Sequence, residues 1–253
     1  MKKRVWKYFS ESFNLLWKQP IIIVPLLINL ILGFVILSAA EVVSSSNPIM
    51  QNYISDIQQY TATGAVPSFS MEALYSLIAV YAVAGIIWWL INSFIMSGTI
   101  GMIYDIARKK KTSLNAAMNY GKKFFLRFIG VGAVLTLLFL AGAAIVLLPV
   151  LIDMTWITVI IAIVLAISLA LFLVLFFLST SYLIIGDKGV FASIGKSISV
   201  VKSNYFRSIL LLILFTACGA LINLIPYAGM LISQVIIGAA SGIAIVLFAL
   251  DNR

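Results

Sequence analysis

Arg108-Lys109-Lys110-Lys111 lies in the middle of a 253-residue chain that otherwise consists of long apolar segments. A lysine or arginine at the centre of a bilayer costs about 2.5–3.5 kcal/mol, so consecutive cations have to remain in water or among lipid head groups. This stretch therefore lies on one side of any membrane that the flanking apolar segments cross. It provides the reference point for the positions of all other charges.

The composition predicts an integral membrane protein. The chain is 63% hydrophobic and 10% charged, whereas soluble domains are about 45–50% apolar and about 25% charged. A net charge of +9 would suit a nucleic-acid-binding protein only if the basic residues covered a soluble surface. Here they lie in short gaps between apolar segments, which favours contact with anionic lipid head groups, and we expect no nucleic-acid partner.

The histidine and cysteine counts exclude several kinds of catalytic and metal site. There is no histidine, and Cys218 is the only cysteine. An intramolecular disulfide, a thiolate metal cage and every imidazole-dependent catalytic triad are therefore excluded. We expect a non-enzymatic protein with no cofactor, no metal site and no catalytic residue. The basic start, the amphipathic stretch after it and a first apolar segment of spanning length predict no cleavable signal peptide.

Six apolar segments are long enough to cross a membrane, which requires at least about 17 residues. They cover residues 21–40, 73–103, 124–152, 155–185, 209–225 and 227–250. Three amphipathic stretches, residues 3–18, 113–128 and 190–205, lead into the first, third and fifth segments. The predicted fold is all-α: an integral membrane bundle of six transmembrane helices with three cytoplasmic interfacial amphipathic helices.

Each amphipathic stretch has an apolar stripe at helical spacing. The stripes consist of Val5, Trp6, Phe9, Phe13, Leu16 and Trp17 in the first stretch, Leu114, Ala117, Met118, Gly121, Phe125 and Phe128 in the second, and Val190, Phe191, Ile194, Ile198, Val201 and Tyr205 in the third. Lysines and small polar residues lie opposite. A helix with this division is expected to lie in the plane of the membrane interface.

The charges divide cleanly between the two sides of a six-span arrangement. All 17 Lys and Arg fall on the side of the Arg108 stretch, and the other side holds only Glu41, Asp56, Glu72 and Asp153. Arrangements with four or five crossings would break this positive-inside pattern. We predict a multi-pass plasma-membrane protein with cytoplasmic N- and C-termini. Residues 41–72 form an extracytoplasmic loop, with a short surface helix over residues 48–61.

The order of an interfacial helix, an outward span and a returning span occurs three times within a predicted single domain, residues 1–253. The units are residues 1–107, 112–186 and 188–250. This suggests three parallel two-span repeats, whereas many secondary transporters contain an inverted pair. Residue-level identity between the units is weak, so shared membrane constraints are an alternative origin of the pattern.

The pattern Ser193-Ile194-Gly195-Lys196-Ser197-Ile198-Ser199-Val200-Val201-Lys202-Ser203-Asn204, together with Lys18-Gln19-Pro20, carries a family resemblance. The chain resembles a polytopic membrane-domain family found in archaeal and bacterial proteins of unknown function. The same kind of domain is fused to some glycerophosphodiester phosphodiesterases. No phosphodiesterase domain is expected here, because its metal-binding carboxylates and histidines are absent. The resemblance implies the architecture and leaves the activity open.

Two groups of residues are candidates for a functional site. The candidate contacts to lipid head groups are the lysines of the basic stretches, Lys18, Lys109, Lys110, Lys122, Lys123, Lys196 and Lys202. The candidate polar cavity consists of the neutral polar residues Asn29, Asn92, Ser93 and Gln234. Interhelical hydrogen bonds are the alternative role of this second group.

Two functions remain open at this point. The first is a lipid-contacting scaffold or an accessory component of other membrane machinery, whose partners are anionic lipids on the cytoplasmic face. The second is a permease or channel for a small neutral or lipid-like molecule. No ionisable residue lies near mid-membrane, which argues against an ion-coupled carrier. Small residues at Ser97, Gly101, Gly238 and Gly242 allow close helix approach, within the chain, to a second copy or to another membrane protein.

Overall fold

The computed structural model describes residues 5–49, 51–52, 71–147, 155–226 and 228–252. These residues form helices and turns, and no strand occurs among them. The α-helices are α1 (Val5–Lys18), α2 (Ile23–Ser46), α3 (Met71–Ala107), α4 (Leu114–Leu147), α5 (Thr155–Leu173), α6 (Ser179–Ile185), α7 (Val190–Ser203), α8 (Tyr205–Asn223), α9 (Gly229–Ile232) and α10 (Gly238–Asp251). Short 3₁₀ turns cover Pro20–Ile22 and Val174–Phe176, and a π-helical turn covers Ser233–Ile237.

Six helical segments within this described part are long and apolar enough to cross a membrane. They cover Pro20–Ser46, Met71–Ala107, Leu114–Ile145, Val159–Ile185, Tyr205–Asn223 and Gly229–Asp251. The prediction of an all-α, six-span membrane protein is confirmed. Met71–Ala107 has 37 residues, a length of about 55 Å, which exceeds a hydrocarbon core of about 30 Å.

The second amphipathic stretch differs from its prediction as a separate interfacial helix. It forms the first turns of the continuous helix α4. The Ser113 hydroxyl caps this helix by accepting a hydrogen bond from the Ala116 N–H at 3.2 Å. No proline follows to interrupt it, whereas Pro20, which lacks an N–H, separates α1 from the first span. Asn204, with φ −134° and ψ 31°, separates α7 from α8.

The predicted extracytoplasmic loop is shorter than residues 41–72, because α2 continues to Ser46 and α3 begins at Met71. Of the surface helix predicted over residues 48–61, only residues 48, 49, 51 and 52 fall in the described part, and these are helical. The predicted turn at Pro149 and Asp153 lies outside the described residues.

The chain divides into two compact units. The smaller unit is Ile28–Asn92, in which α2 packs against the first part of α3. The Asn29 side-chain amide donates to the Asn92 oxygen at 2.9 Å, and Asn47 donates to the Ser76 hydroxyl at 2.6 Å. A Cβ added to Gly33 would lie 2.8 Å from the Trp88 ring, so glycine permits that contact.

The larger unit consists of Met1–Leu27 and Ser93–Arg253. Its core contains large side chains that are almost fully buried, among them Tyr8, Met102, Phe124, Leu178, Tyr182, Leu211 and Phe248. These residues come from the amphipathic stretches, from the last turns of the second, fourth and sixth spans and, for Leu211, from the first turns of the fifth span. The core therefore forms where these segments meet.

Each amphipathic stretch packs on the last turns of a returning span. The Tyr8 ring of α1 meets the Phe248 ring of α10 edge-on at 5.5 Å. The backbone of Ala117 in α4 passes so close to Gly98 of α3 that an added Cβ would lie 2.6 Å from its carbonyl oxygen. The α7 helix folds back against α6, its immediate predecessor. The first stretch packs against the sixth span.

The fourth span, predicted as one segment over residues 155–185, is interrupted between α5 and α6. Its 3₁₀ turn leaves backbone groups that a continuous α-helix would pair. The Ser197 hydroxyl, from α7, accepts a hydrogen bond from the Leu178 N–H at 3.2 Å and donates one to the Leu175 carbonyl at 2.7 Å. A single buried serine thus replaces the bonds lost at the interruption.

Candidate lipid-contacting surface

We call the seven predicted lysines, Lys18, Lys109, Lys110, Lys122, Lys123, Lys196 and Lys202, the basic face. Three hydrogen bonds within the larger unit connect the ends of helices that carry these lysines or lie next to them. Gln19 Nε2 donates to the Lys110 carbonyl at 3.3 Å, Lys123 Nζ lies 2.8 Å from Asp187 Oδ2, and the Tyr182 hydroxyl donates to the Ala249 carbonyl at 3.2 Å. The end of α3 is thereby linked to the residue before the first span, the loop after α6 to α4, and α6 to the end of α10.

The loop after α3 has a defined backbone conformation. Lys109 has φ 59°, in the left-handed region that is uncommon for residues other than glycine. The Lys109 N–H bonds to the Ile106 carbonyl at 2.8 Å, and the Lys110 N–H bonds to the Asp105 carbonyl at 2.9 Å. This is the Schellman pattern of helix termination. It presents the Lys110 carbonyl to the Gln19 side chain.

The loop after α6 repeats this arrangement. Asp187 has φ 47° and bonds through its N–H to the Ile184 carbonyl at 3.4 Å, while the Lys188 N–H bonds to the Leu183 carbonyl at 3.2 Å. The Lys188 carbonyl then accepts a bond from Arg127 Nη1 at 3.3 Å. In both loops the residue after the left-handed one is bound by a side chain close to the start of the outward span that precedes the loop's returning span, Gln19 for the first span and Arg127 for the third. Such a correspondence is what parallel repeats would produce.

Asp187 also forms an ion pair with two cations of α4. Lys123 Nζ lies 2.8 Å from Oδ2, and Arg127 Nη1 lies 2.5 Å from Oδ1. Hydrogen bonds from Lys123 and then Arg127 lower the pKa of the Asp187 carboxyl below its usual value. The carboxylate is therefore charged at neutral pH. Lys123 has an internal partner, which reduces its availability to a lipid.

The other members of the basic face differ in exposure. Lys196 is half-buried on α7. The remaining members are exposed, namely Lys18, Lys109, Lys110, Lys122 and Lys202. Within the part of the chain that the structure describes, none of these exposed lysines forms an ion pair. Their charges are free to interact with external anions.

Large aromatic side chains project outward directly beside several cations. Trp6 is 66% exposed and precedes Lys7, Trp17 is 70% exposed and precedes Lys18, and Phe206 is 86% exposed and precedes Arg207. Aromatic rings of this kind concentrate at membrane interfaces, and neighbouring Lys and Arg extend their charges to the head groups. The arrangement suits contact with the interfacial layer of a bilayer.

The buried sides of the amphipathic helices overlap only in part with their apolar stripes. In α1 the side chains of Tyr8 and Ser12 are buried although neither belongs to the predicted stripe. In α7 the fully buried residues include Ser193 and Ser197, whereas Phe191 of the stripe is 79% exposed. Small polar residues spaced four apart permit close helix contact and are the signal for this burial. Apolar residues at helical spacing, from which the stripes are predicted, do not identify these polar positions.

The candidate polar cavity is not assembled as one site in either unit. Asn29 and Asn92 bond to each other in the smaller unit. Ser93 and Gln234 belong to the larger unit, where Ser93 is buried and Gln234 is exposed. Among the described residues, no group of three or more His, Cys, Asp or Glu could hold a metal ion.

No protein-family model, curated protein or solved structure matches this chain. The functional interpretation therefore depends on the residues described above.

Proposed function

We propose that this multi-pass membrane protein is a non-enzymatic, lipid-contacting scaffold or accessory component of membrane machinery. Its basic face binds anionic head groups at the cytoplasmic side of the plasma membrane, where both termini also lie. The proposal includes the resemblance to a polytopic membrane-domain family of unknown function. This resemblance does not indicate that the protein catalyses a reaction.

One observation carries the proposal: exposed aromatic rings stand next to exposed cations at Trp6-Lys7, Trp17-Lys18 and Phe206-Arg207. An apolar ring beside a free ammonium or guanidinium group fits the boundary between acyl chains and phosphates. Each lysine near an anionic membrane surface contributes about 1 kcal/mol of attraction. Several such lysines give a clear preference for anionic over zwitterionic lipid.

The permease alternative has less support. The two asparagines on which it depends are bonded to each other at 2.9 Å, the arrangement that interhelical polar residues adopt when they stabilise packing. A polar path would instead leave such groups facing water. The scaffold is therefore the function that we favour.

The test measures lipid preference at the protein surface. The protein is reconstituted into bilayers, and the association constants of spin-labelled phosphatidylglycerol and phosphatidylcholine are compared. We expect a preference for phosphatidylglycerol that falls as salt shortens the Debye length from about 10 Å at 0.1 M to about 3 Å at 1 M. Equal association of both lipids at low salt would contradict the proposal.

Neighbouring lysines provide a matched pair of variants. Lys122 is exposed without an ion-pair partner in the described part of the chain, and Lys123 pairs with Asp187 at 2.8 Å. Both changes, Lys122→Gln and Lys123→Gln, remove one charge from the same helix turn. We expect Lys122→Gln to lower the preference by up to about fivefold, as loss of about 1 kcal/mol implies, and Lys123→Gln to lower it less. Lys122→Arg should retain it. If both glutamine variants lower the preference for phosphatidylglycerol equally, the ion pair of Lys123 does not affect its contribution to lipid binding.

A further inference from the structure

A cavity of about 420 Å³ lies in the larger unit, between α8 and the last span. Its volume falls within the range of about 300–1,000 Å³ that is typical of ligand pockets. Thr216 and Asn223 on α8 and Gly238 on the last span line it and are exposed. The cavity therefore opens to the surroundings of the spans, where a membrane places its acyl chains.

The last span is irregular where it lines the cavity. Its π-helical turn, Ser233–Ile237, ends directly before Gly238. Such turns are rare and frequently occur at functional sites. A Cβ added to Gly238 would meet no atom within 4 Å. The absent side chain leaves space that neither helix fills.

The two ends of the cavity lining differ in polarity, with Thr216 and Ser241 between them. Asn223 and Ser233 lie towards the turn that joins α8 to α9, whereas Leu211, Phe215 and Ile245 lie towards the basic end of the same helices. Ser233 lies opposite Gly219, because a Cβ added to Gly219 would lie 3.0 Å from the Ser233 hydroxyl oxygen. The difference between the two ends resembles that of a lipid, with a polar ester region at one end and hydrocarbon at the other.

Three polar side chains of the lining lack hydrogen-bond partners within the part of the chain that the structure describes. They are Thr216, Asn223 and Ser233. Polar groups without partners are costly in a hydrocarbon environment, because no water is present to replace the missing bonds. Each of the three can donate a hydrogen bond to an ester carbonyl oxygen. An occupant with acceptors at the Asn223 end would satisfy Asn223 and Ser233, the two that lie there.

The length of the cavity suits an acyl chain as the occupant. Leu211 and Asn223 are 12 residues apart on one α-helix, or about 18 Å. This length is close to the depth of one leaflet, about 15 Å, in a hydrocarbon core about 30 Å thick. A chain that enters from the lipid beside the spans can therefore lie along the whole cavity.

We propose that this cavity binds one acyl chain of a membrane glycerolipid. The ester region lies against Asn223 and Ser233, and the chain end lies against Leu211, Phe215 and Ile245. This site is separate from the basic face and does not depend on the lipid's charge. It would give the protein a lipid held between two of its spans.

Two photoactivatable phosphatidylcholines test the site. One carries a diazirine next to the ester and the other carries it at the end of the acyl chain. After reconstitution and illumination, adducts are located by mass spectrometry of proteolytic peptides. The ester-proximal probe should label around Asn223 and Ser233, and the terminal probe should label around Leu211 and Ile245. Yields should exceed those on residues 159–172, an exposed apolar part of the fourth span, by at least about fivefold, which corresponds to about 1 kcal/mol of preference.

Gly238→Leu fills the cavity and provides the decisive variant. Gly195→Leu on α7 is the control, because a Cβ there also meets no atom within 4 Å. We expect the first variant to reduce labelling around Leu211 to the level of residues 159–172 and the second to leave it unchanged. Thr216→Leu replaces Gly238→Leu if that variant does not fold. Three results would each overturn the proposal. The first is uniform labelling of all spans in the unmodified protein, and the second is unchanged labelling in the filled variant. The third is the formation of crosslinks between two copies in place of lipid adducts.

Discussion

The hydroxyl of Tyr8 donates a hydrogen bond to Oδ2 of Asp251 at 3.1 Å, across 243 residues of sequence. The first described helix and the end of the last span are thereby joined. A related bond runs from the Tyr120 hydroxyl of α4 to Asp105 Oδ1 of α3 at 3.0 Å. In both places a tyrosine on an amphipathic stretch contacts an aspartate in the last turns of a returning span. The contact between α1 and α10 is therefore of the same kind as the contact between α4 and α3.

Removing the Tyr8 hydroxyl should loosen α1 from α10. A hydrogen bond to a charged group contributes about 1.5–3 kcal/mol, so Tyr8→Phe should lower the free energy of unfolding by about that amount. The measurement is the unfolding transition in detergent. Tyr75→Phe is the control, because Tyr75 is 61% exposed. Equal stabilities of the two variants would show that the bond is unimportant.

The same tyrosine predicts a pH dependence in the alkaline range. Burial, followed by the nearby Asp251 charge and hydrogen bond, raises the pKa of the Tyr8 hydroxyl above its usual value of 10.0. The unfolded chain then releases this proton at lower pH than the folded one, so the contribution to stability is complete below pH 10 and decreases as pH rises above it. Unfolding temperatures of wild type and Tyr8→Phe should converge as pH increases beyond 10. A constant difference would contradict this.

Ser197 should be more important than its size suggests. Ser197→Ala removes the partner of the Leu178 N–H and the Leu175 carbonyl, and an unsatisfied buried group costs about 1–3 kcal/mol. We expect a loss of that order in the free energy of unfolding. Ser199→Ala, at an exposed position of the same helix, should change it little. If both variants unfold alike, the interrupted span does not depend on the serine bridge.

Glycine at position 98 is required by close helix approach. A Cβ there would lie 2.6 Å from the Ala117 carbonyl oxygen, which is backbone and cannot move aside easily. Gly98→Ala should therefore destabilise the protein by about 1–3 kcal/mol. At Gly195, where a Cβ meets nothing within 4 Å, alanine should stabilise by about 0.5–1 kcal/mol, because glycine is unfavourable inside a helix. A gain at both positions would mean that α3 and α4 can separate without cost.

Cysteine accessibility distinguishes the scaffold from a permease. In a Cys218→Ala background, which contains no other cysteine, Asn29→Cys or Asn92→Cys is treated with a membrane-impermeant thiol reagent from each side. We expect neither to react, because the two asparagines bond to each other at 2.9 Å in a surrounding of apolar side chains. Lys110→Cys is the positive control and should react only from the cytoplasmic side. Rapid reaction at position 29 or 92 would indicate water at that depth and favour the permease.

The sequence by itself determined the class of protein and the six membrane-length helices, because hydropathy acts on each segment independently of the others. The division of charge between the two sides of the membrane stays a prediction. The sequence also placed the boundary at Pro20, where a missing N–H acts locally. Only the tertiary structure decided which sides of the amphipathic stretches are buried. Ser12 and Ser197 are buried because of the helices that they contact, and their small size favours burial only where another helix comes close.

The interruption of the fourth span also depends on a tertiary contact. Residues 174–178 are uniformly apolar and contain no helix-breaking residue. The backbone bonds lost there are replaced by a serine from the next helix, 19 residues beyond Leu178. Likewise, Lys122 and Lys123 are equivalent in sequence, and only the position of Asp187 makes one of them a structural cation. Local patterns report the environment of a segment, whereas pairing between distant residues depends on where the folded backbone brings them.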